Sequence, residues 1–295
     1  PLLMGWANQC RAWLQNRSAP SILLPYWTLA KLFHKDAVIA RDASPLFRVT
    51  PYILFGCMWL AAGIVPVLAT NLPFAPAADI IALVGVFALA RVFSALAAMD
   101  IGTSFGGLGA RREMLIGFLA EPAMLMTLFT AAFISGSTQL ATIVETLGHR
   151  EFAIYPSLAF AAVAFLMVLL AENARIPVDN PTTHLELTMV HEAMILEYSA
   201  RHLALIEWAV AIKLFAYMTI GIALFLPWGI AAAGDWAALP LAFAALAAKL
   251  ALAGAGLALI EAVLAKLRLF LAPEFLSTAF LLAVLGMLTH FLLLT

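Results

Sequence analysis

One polar stretch, residues 172–198, carries most of the chemistry-bearing side chains of an otherwise apolar chain. It reads ENARIPVDNPTTHLELTMVHEAMILEY, whereas charged residues make up only 11% of the 295 residues and the mean hydropathy is +1.01. Carboxylates, histidines and arginines at this density can exchange protons or form ion pairs. The candidates in and just after the stretch are Glu172, Arg175, Asp179, Glu186, Glu192, Glu197 and Arg201.

Two histidines of the stretch, His184 and His191, have the residue type of metal ligands but not the spacing. They stand seven residues apart, too far for one ion on a helix, and HEAMILE is not the HExxH motif of zinc enzymes. A hydrogen-bonded structural role and proton handling both remain open for them. No GxSxG nucleophile motif occurs, and Cys10 and Cys57 form no CxxC. Any redox centre must therefore lie in another subunit.

Capping signals predict a helix inside the stretch. An asparagine followed by proline at 180–181, and the capping-box pattern at 183–186, place its start near residue 181 and allow it to run to about Ser199. On such a helix Glu186 and Glu197 share a face, and Arg201 follows four residues after Glu197.

A second set of ionisable residues falls inside apolar runs, where a charge costs about 2.5–3.5 kcal/mol near the centre of a spanning helix. Alternating carboxylates and bases could carry protons into the membrane, or the cations could only neutralise buried glutamates and lock helix packing. Glu113 and Glu274, at the ends of predicted spans, are interpreted as caps or interface charges. The set is Arg91, Glu121, Glu207, Lys213, Lys249 and Glu261.

Apolar runs of bilayer-crossing length must position these side chains. The chain is 64% hydrophobic, and its runs are continuously apolar, which favours helices over barrel strands. This predicts an all-α, polytopic membrane helical bundle that forms a single membrane domain over residues 1–295. The seven predicted spans are Pro51–Thr70, Asp79–Met99, Glu113–Ser135, Phe152–Ala171, Leu205–Trp228, Ala237–Leu264 and Phe275–Thr295.

The first fifty residues contain no run long enough to span and are predicted to be cytoplasmic and interfacial. Between Tyr26 and Ile39, apolar residues fall on one helical face and Thr28, Lys31 and Lys35 on another. This pattern predicts an amphipathic helix lying on the membrane surface, with an ordinary solvated linker as the alternative.

The distribution of Lys and Arg predicts the orientation, because cytoplasmic loops hold the excess. The basic residues gather in segment 1–50, the GTSFGGLGARRE loop at 102–113, the loop at 172–204 and the segment 266–274, whereas the other side has Arg150 alone. These loops are predicted to be cytoplasmic, and the C terminus outside. The net charge of −1 gives no basic footprint for nucleic acid, so the lipid bilayer is the expected environment.

The sequence AENARIPVDNPTTHLELTMVHEAMILEYS resembles the corresponding loop of the family that contains formate hydrogenlyase subunit 4 and hydrogenase-4 component C. RSAPSILLPYWTLAKLFHKD and SFGGLGARREMLIGFLAEP resemble two further cytoplasmic segments of that family, which belongs to the membrane arms of group 4 nickel–iron hydrogenases. The pattern E-x-x-R-x-P-x-D is also similar to the H subunit of bacterial complex I. NPTTHLELTMVHEAM, however, resembles the hydrogenase branch and not the acidic, alanine-rich continuation of complex I.

The resemblance implies a subunit that anchors a soluble redox arm and couples it to proton translocation in a bacterial or archaeal plasma membrane. Hydrogenase large and small subunits, with their nickel–iron centre and iron–sulfur clusters, would dock on the cytoplasmic loops, and antiporter-like subunits would lie alongside. This chain itself would hold no cofactor. The family begins with one more spanning helix than the sequence contains, so an eighth, N-terminal helix is expected before residue 1.

Two other functions fit part of the sequence. One is a quinone-chamber subunit of a complex I-like oxidoreductase. The other is an autonomous ion transporter that uses Glu121, Lys213 and Lys249 as its path. Transporters often contain two related halves, and the sequence has no such repeat.

Overall fold

The part of the chain that the computed structural model describes is built of α-helices. It comprises residues 1–40, 42–70, 78–149, 156–179, 189–231, 237–264 and 271–294. In chain order the helices are α1 (Leu2–Leu14), α2 (Leu24–Phe33), α3 (Pro45–Ile64), α4 (Ile80–Asp100), α5 (Ser104–Ser135), α6 (Leu140–His149), α7 (Pro156–Glu172), α8 (His191–Ile195), α9 (Ala200–Phe225), α10 (Leu239–Val263) and α11 (Ala272–Leu294).

Six helices, α3, α4, α5, α9, α10 and α11, are long and apolar enough to cross a membrane. The span predicted at Phe152–Ala171 corresponds to α7, a shorter apolar helix of 17 residues. At 1.5 Å rise per residue it reaches about 26 Å, slightly less than the hydrocarbon thickness of a bilayer. The prediction of an all-α, polytopic membrane bundle is confirmed, with six long spans and the shorter α7 among the described residues where seven spans were predicted.

Two predicted helix starts are wrong. Helix α3 begins at Pro45 because the Ser44 side chain accepts a hydrogen bond from the backbone N–H of Leu46, and Pro51 lies inside the helix. Helix α5 begins at Ser104, where the Thr103 side chain caps it, so the predicted glycine-rich loop forms its first turns. The glycines there let other backbones approach closely, as at Gly106, where an added Cβ would lie 2.4 Å from the carbonyl oxygen of Ala98.

The ends of the helices gather at two levels. We call the polar end the level where α4 and α7 finish and α3, α5 and α9 start. There the Asp100 carboxylate accepts the backbone N–H of Ser44 (2.9 Å), and Ser199 bonds both backbone groups of Val38. At the opposite end, the start of α4 is tied to the turn after α5. Asp79 accepts both the Ile81 N–H and the Thr138 hydroxyl, and these bonds, the Thr138 one foremost, lower the pKa of Asp79.

The N-terminal helices pack along the outside of the bundle. Helix α1 lies against α10, where the indole Nε1 of Trp6 donates to the carbonyl of Ala251 at 2.8 Å. Helix α2 lies against α9 with Leu29 buried and Trp27 60% exposed. The predicted amphipathic helix is therefore present, but it ends at Phe33, six residues earlier than expected. Its position on a membrane surface stays a prediction.

Candidate functional site

The guanidinium of Arg91, midway along α4, is bonded to three carboxylates from two other helices. Nε lies 3.3 Å from Oε1 of Glu113 and Nη1 lies 2.6 Å from Oε1 of Glu121, both on α5. Nη2 donates to Glu172, the last residue of α7. The Arg91 side chain is only 4% exposed, and the five donors of a guanidinium suit several carboxylates at once.

A fourth helix contributes Lys213, whose Nζ lies 3.1 Å from Oε2 of Glu172. We call Arg91, Glu113, Glu121, Glu172 and Lys213 the ion cluster. When every member is ionised, three carboxylates face two cations, which leaves one excess negative charge. An uncompensated charge at this depth is costly. Uptake of one proton would neutralise the cluster and so lower its free energy.

Gly117 makes room for the cluster. It lies on α5 midway between Glu113 and Glu121, one helical turn from each, and Arg91 packs directly against it. A Cβ at this position would lie 2.3 Å from Nη1 and 2.6 Å from Cδ of Arg91, closer than real contacts allow. The missing side chain therefore lets the guanidinium reach both glutamates across the helix surface.

Gly117→Ala is expected to lower the free energy of unfolding by about 1–3 kcal/mol, because the added methyl displaces Arg91 from its carboxylates without changing any charge. Gly85→Ala is the matched control, since Gly85 lies on α4 with nothing within 4 Å of an added Cβ. In Gly85→Ala, the better helix propensity of alanine should raise the free energy of unfolding by up to about 1 kcal/mol. Denaturant titration in mixed micelles measures both, and equal effects would contradict the packing role of Gly117.

An aromatic layer separates the ion cluster from the opposite end of the bundle. Phe87 and Tyr217 pack with ring centroids 4.7 Å apart, and Phe165 lies 6.4 Å from Tyr217. Each ring stands one to two turns beyond a cluster residue of its own helix, on the side away from the polar end. The fully buried charges of the described chain, Arg91, Glu172, Asp179 and Glu261, all lie on the polar side of this layer.

A smaller ion group lies nearby at Glu261, whose carboxylate is 2% exposed near the end of α10. Its Oε1 lies 3.1 Å from Nη1 of Arg175, and its Oε2 lies 3.3 Å from Nη1 of Arg11 on α1. The predicted residues Arg175 and Glu261 are therefore partners. They tie the polar stretch to α10 and α1, and not to the ion cluster.

Asp179 organises the described half of the polar stretch. Its Oδ2 accepts the backbone N–H groups of Val190 (3.2 Å) and His191 (3.3 Å), so it holds the start of α8. Arg112 of α5 donates to the carbonyl of Met189. Helix α8 then packs closely on α5 at Gly109, where a Cβ would lie 3.0 Å from the Val190 carbonyl oxygen.

The predicted start of a helix near residue 181 lies outside the described residues, and the prediction that this helix runs unbroken to about Ser199 is wrong, since residues 189–190 are not helical. Helix α8 stops at Ile195, and the chain is extended at Ser199. The buried ring of Tyr198 stacks on Phe47 at 3.9 Å, and its hydroxyl donates to the Phe47 carbonyl. Burial raises the pKa of Tyr198, which keeps this hydroxyl a donor. These contacts draw the chain out of a helical path.

The break has consequences for the predicted charges. Glu197 and Arg201 are both exposed and stand on either side of it, so the expected helical pairing between them does not form. Glu186 and His184 lie outside the described residues. Glu192, on α8, is partly buried, and both Glu192 and His191 are ionisable neighbours of Glu207 on α9.

Two residues are placed differently from expectation. Lys249 does not join the ion cluster, since its Nζ donates to the carbonyl oxygens of Leu226 (2.6 Å) and Trp228, just past the end of α9. Glu113, interpreted as a helix-end charge, lies nine residues inside α5 and bonds Arg91. The missed signal was its spacing from Glu121, which puts both within reach of one guanidinium.

A cavity of about 60 Å³ lies beside the ion cluster, lined by residues of α3, α4, α5, α8 and α9. Its polar lining consists of Arg91, Ser94, Glu113, His191 and Lys213, and the remaining lining is apolar. Within the described stretches of the chain, no three His, Cys, Asp or Glu side chains gather closely enough to hold a metal ion. The side chains that do gather here, carboxylates, a guanidinium, an ammonium and an imidazole, offer ionic and protonic chemistry.

Comparison with known proteins finds a matching family and similar membrane proteins. Residues 2–292 match the NADH dehydrogenase family. The chain is 32% identical to formate hydrogenlyase subunit 4 of Escherichia coli (strain K12), covering 93% of this chain and 88% of that protein. It is 35% identical to hydrogenase-4 component C of the same organism, over 78% of this chain and 71% of that protein.

A solved structure has the same fold. It is described as the membrane-bound sulfane sulfur reductase (MBS), an archaeal respiratory membrane complex. One of its chains superposes with a TM-score of 0.78 at 20% identity, over 97% of this chain and 93% of that one.

The spans and the buried ion cluster define a multi-pass membrane protein of the kind found as a subunit of larger complexes. The chain belongs to the NADH dehydrogenase family. Within that family it is similar to formate hydrogenlyase subunit 4 and hydrogenase-4 component C, so the resemblance noted in the polar stretch is confirmed.

Proposed function

We propose that this chain is the membrane-anchoring and energy-coupling subunit of a hydrogenase complex of the formate hydrogenlyase type. The observation that carries the proposal is the ion cluster. It joins α4, α5, α7 and α9 within the membrane and ends at Glu172, where the polar stretch begins. The similarity to formate hydrogenlyase subunit 4 and hydrogenase-4 component C supports the kind of complex.

Coupling follows from how the polar stretch meets the cluster. Asp179 holds the start of α8, α8 packs on α5, and α5 carries two of the three cluster carboxylates. A redox partner that moves the polar stretch would shift α8 against α5 and change the distances around Arg91. Because the cluster has one excess negative charge, such a change alters its affinity for a proton.

The redox partners dock on the polar end, which faces the cytoplasm, and the C terminus lies outside the plasma membrane. The basic residues of segment 1–50 and of the polar stretch support this orientation. Hydrogenase large and small subunits would supply the nickel–iron centre and the iron–sulfur clusters. The ligands for such groups are not gathered in the described part of this chain, where Cys10 lies on α1 and Cys57 on α3.

The face of α5 around Glu121 is proposed to dock an antiporter-like membrane subunit. The Glu121 side chain is 33% exposed near the middle of a spanning helix, next to Phe118, which is 76% exposed. A carboxylate facing lipid at this depth is unfavourable, whereas a polar partner subunit would both cover it and accept its proton. Glu121 would then be the exit of the ion cluster.

The proposed function is tested by purifying the tagged chain from its native membranes in mild detergent. We expect it to copurify with nickel- and iron-containing subunits, and the complex in vesicles to move protons while it turns over hydrogen. A chain that transports ions by itself would instead be an autonomous transporter. A nickel-free complex with bound quinone would identify the quinone-chamber alternative.

A further inference from the structure

The cavity beside the ion cluster has the size and lining to hold water. At roughly 15 Å³ for each water, its volume of about 60 Å³ accommodates about four molecules. Ordered water needs two to four polar partners, and the lining supplies Arg91, Ser94, Glu113 and Lys213. Water here would therefore contact cluster residues from three helices.

His191 gives this cavity a titratable group that the ion cluster does not include. It is the first residue of α8, and Asp179 fixes its backbone through the N–H group. Its Nε2 is buried and has no hydrogen-bond partner in the described part of the chain, while the residue lines the cavity. Buried polar atoms nearly always have a hydrogen-bond partner, so we expect Nε2 to bond a partner such as water in the cavity.

Cationic and acidic side chains from α4, α5, α8 and α9 lie around His191, whereas α3 contributes only apolar residues to the cavity. Arg91 on α4 and Lys213 on α9 oppose a protonated imidazole across the cavity. Glu113 on α5, Glu192 on α8 and Glu207 on α9 favour it. An imidazole can both accept and donate a proton, so His191 can exchange protons with water in this cavity.

We propose that His191 is the proton-exchange residue between the polar end and the ion cluster. The ring binds a proton at one nitrogen and releases one from Nε2 to cavity water, which passes it to the Glu113 carboxylate. One proton moves, no electrons are transferred, and neutral imidazole is restored. The inference rests on the proposed coupling function and adds to it the group through which protons enter.

The test uses the complete complex in native membrane vesicles, with hydrogen turnover and proton movement recorded together. His191→Gln keeps the volume and a hydrogen-bonding group but cannot accept a proton. We expect the protons moved per hydrogen to fall at least about tenfold, with hydrogen turnover and subunit composition retained. The matched control is His202→Gln, because His202 is a buried histidine that packs on Tyr52 at 6.0 Å and does not line the cavity. It should behave as the unaltered complex.

A second variant separates proton exchange from a structural role. In His191→Ala, added imidazole should restore coupled proton movement within the same vesicles, whereas a buffer too large to enter the cavity should not. If His191→Gln couples like the unaltered complex, or His191→Ala stays uncoupled with imidazole present, His191 is not the exchange residue. An unaltered complex that moves no protons would instead overturn the proposed coupling function itself, so the two failures are distinguishable.

Discussion

Replacing Arg91 by methionine is expected to lower the free energy of unfolding by about 3–5 kcal/mol, the largest effect of any single substitution in the ion cluster. Methionine fills a similar volume without a charge. It leaves the carboxylates of Glu113 and Glu121 without the cation that binds them, while Glu172 keeps only Lys213. The carboxylates of α5 and α7 would then repel one another, and neither helix would be bonded to α4 through Arg91. Denaturant titration of the purified complex in mixed micelles measures the loss.

Lys249→Met is the matched control for removal of a cation from a spanning helix. Lys249 bonds only backbone carbonyl oxygens, so its loss should cost about 1 kcal/mol. A double variant, Arg91→Met with Glu172→Gln, removes one of the stranded charges and should recover part of the stability. Equal losses in the two single variants, or no recovery in the double one, would contradict the view that Arg91 holds the helices together through charge.

The spans were predictable because a bilayer imposes one length and one composition on every crossing helix. The starts of two spans were not predictable, because proline and glycine can stand either at the end of a helix or inside it. Pro51 is a plausible first residue of a helix, yet it lies inside α3, while Ser44 with Pro45 forms the actual cap. The glycines before Arg111 read as a flexible loop. In the structure they are helical and allow close packing, since Gly109 faces α8 and Gly106 faces the end of α4.

The buried charges were predictable as a set, but their pairing was not. The sequence gives the depth of each charge along its helix, and on that basis Arg91, Glu121, Glu172 and Lys213 do meet. It does not give which helices are neighbours or how each is rotated. Glu261 therefore pairs with arginines at the edge of the bundle, and Lys249 bonds the end of α9. Glu261 and Lys249 lie at depths similar to those of the ion cluster, but neither bonds a residue of that cluster.

The polar stretch illustrates a different limit. Capping signals and helix propensity are local, and they predict one helix through Ser199. Two long-range contacts override them, because Tyr198 is buried against Phe47 and Ser199 bonds Val38, about 150 residues or more away along the chain. The sequence around Tyr198 and Ser199 does not indicate that Phe47 and Val38 are their partners. These contacts of the N-terminal segment therefore break the helix on which Glu197 and Arg201 were expected to lie one turn apart.

Glu172→Gln is expected to uncouple the complex without destroying it. Glutamine has the shape of glutamate and still accepts a hydrogen bond from Arg91, but it removes one negative charge. The cluster then contains two carboxylates and two cations, so it has no excess charge left to bind a proton. In vesicles, the protons moved per hydrogen turned over should fall at least about tenfold, in the range typical of a lost acid–base group, while hydrogen turnover itself persists.

Glu274→Gln is the matched control, since it removes a carboxylate from the exposed first turn of α11, far along the chain from the cluster. It should cost at most about 1 kcal/mol of helix stabilisation and leave coupling unchanged. If Glu172→Gln moves as many protons per hydrogen as the unaltered complex, the excess charge is not what binds the transported proton. The ion cluster would then have only a structural role. If both variants lose hydrogen turnover, the loss reflects assembly, and coupling must be read from the ratio of protons to hydrogen in the complexes that remain. A normal ratio there would count equally against Glu172.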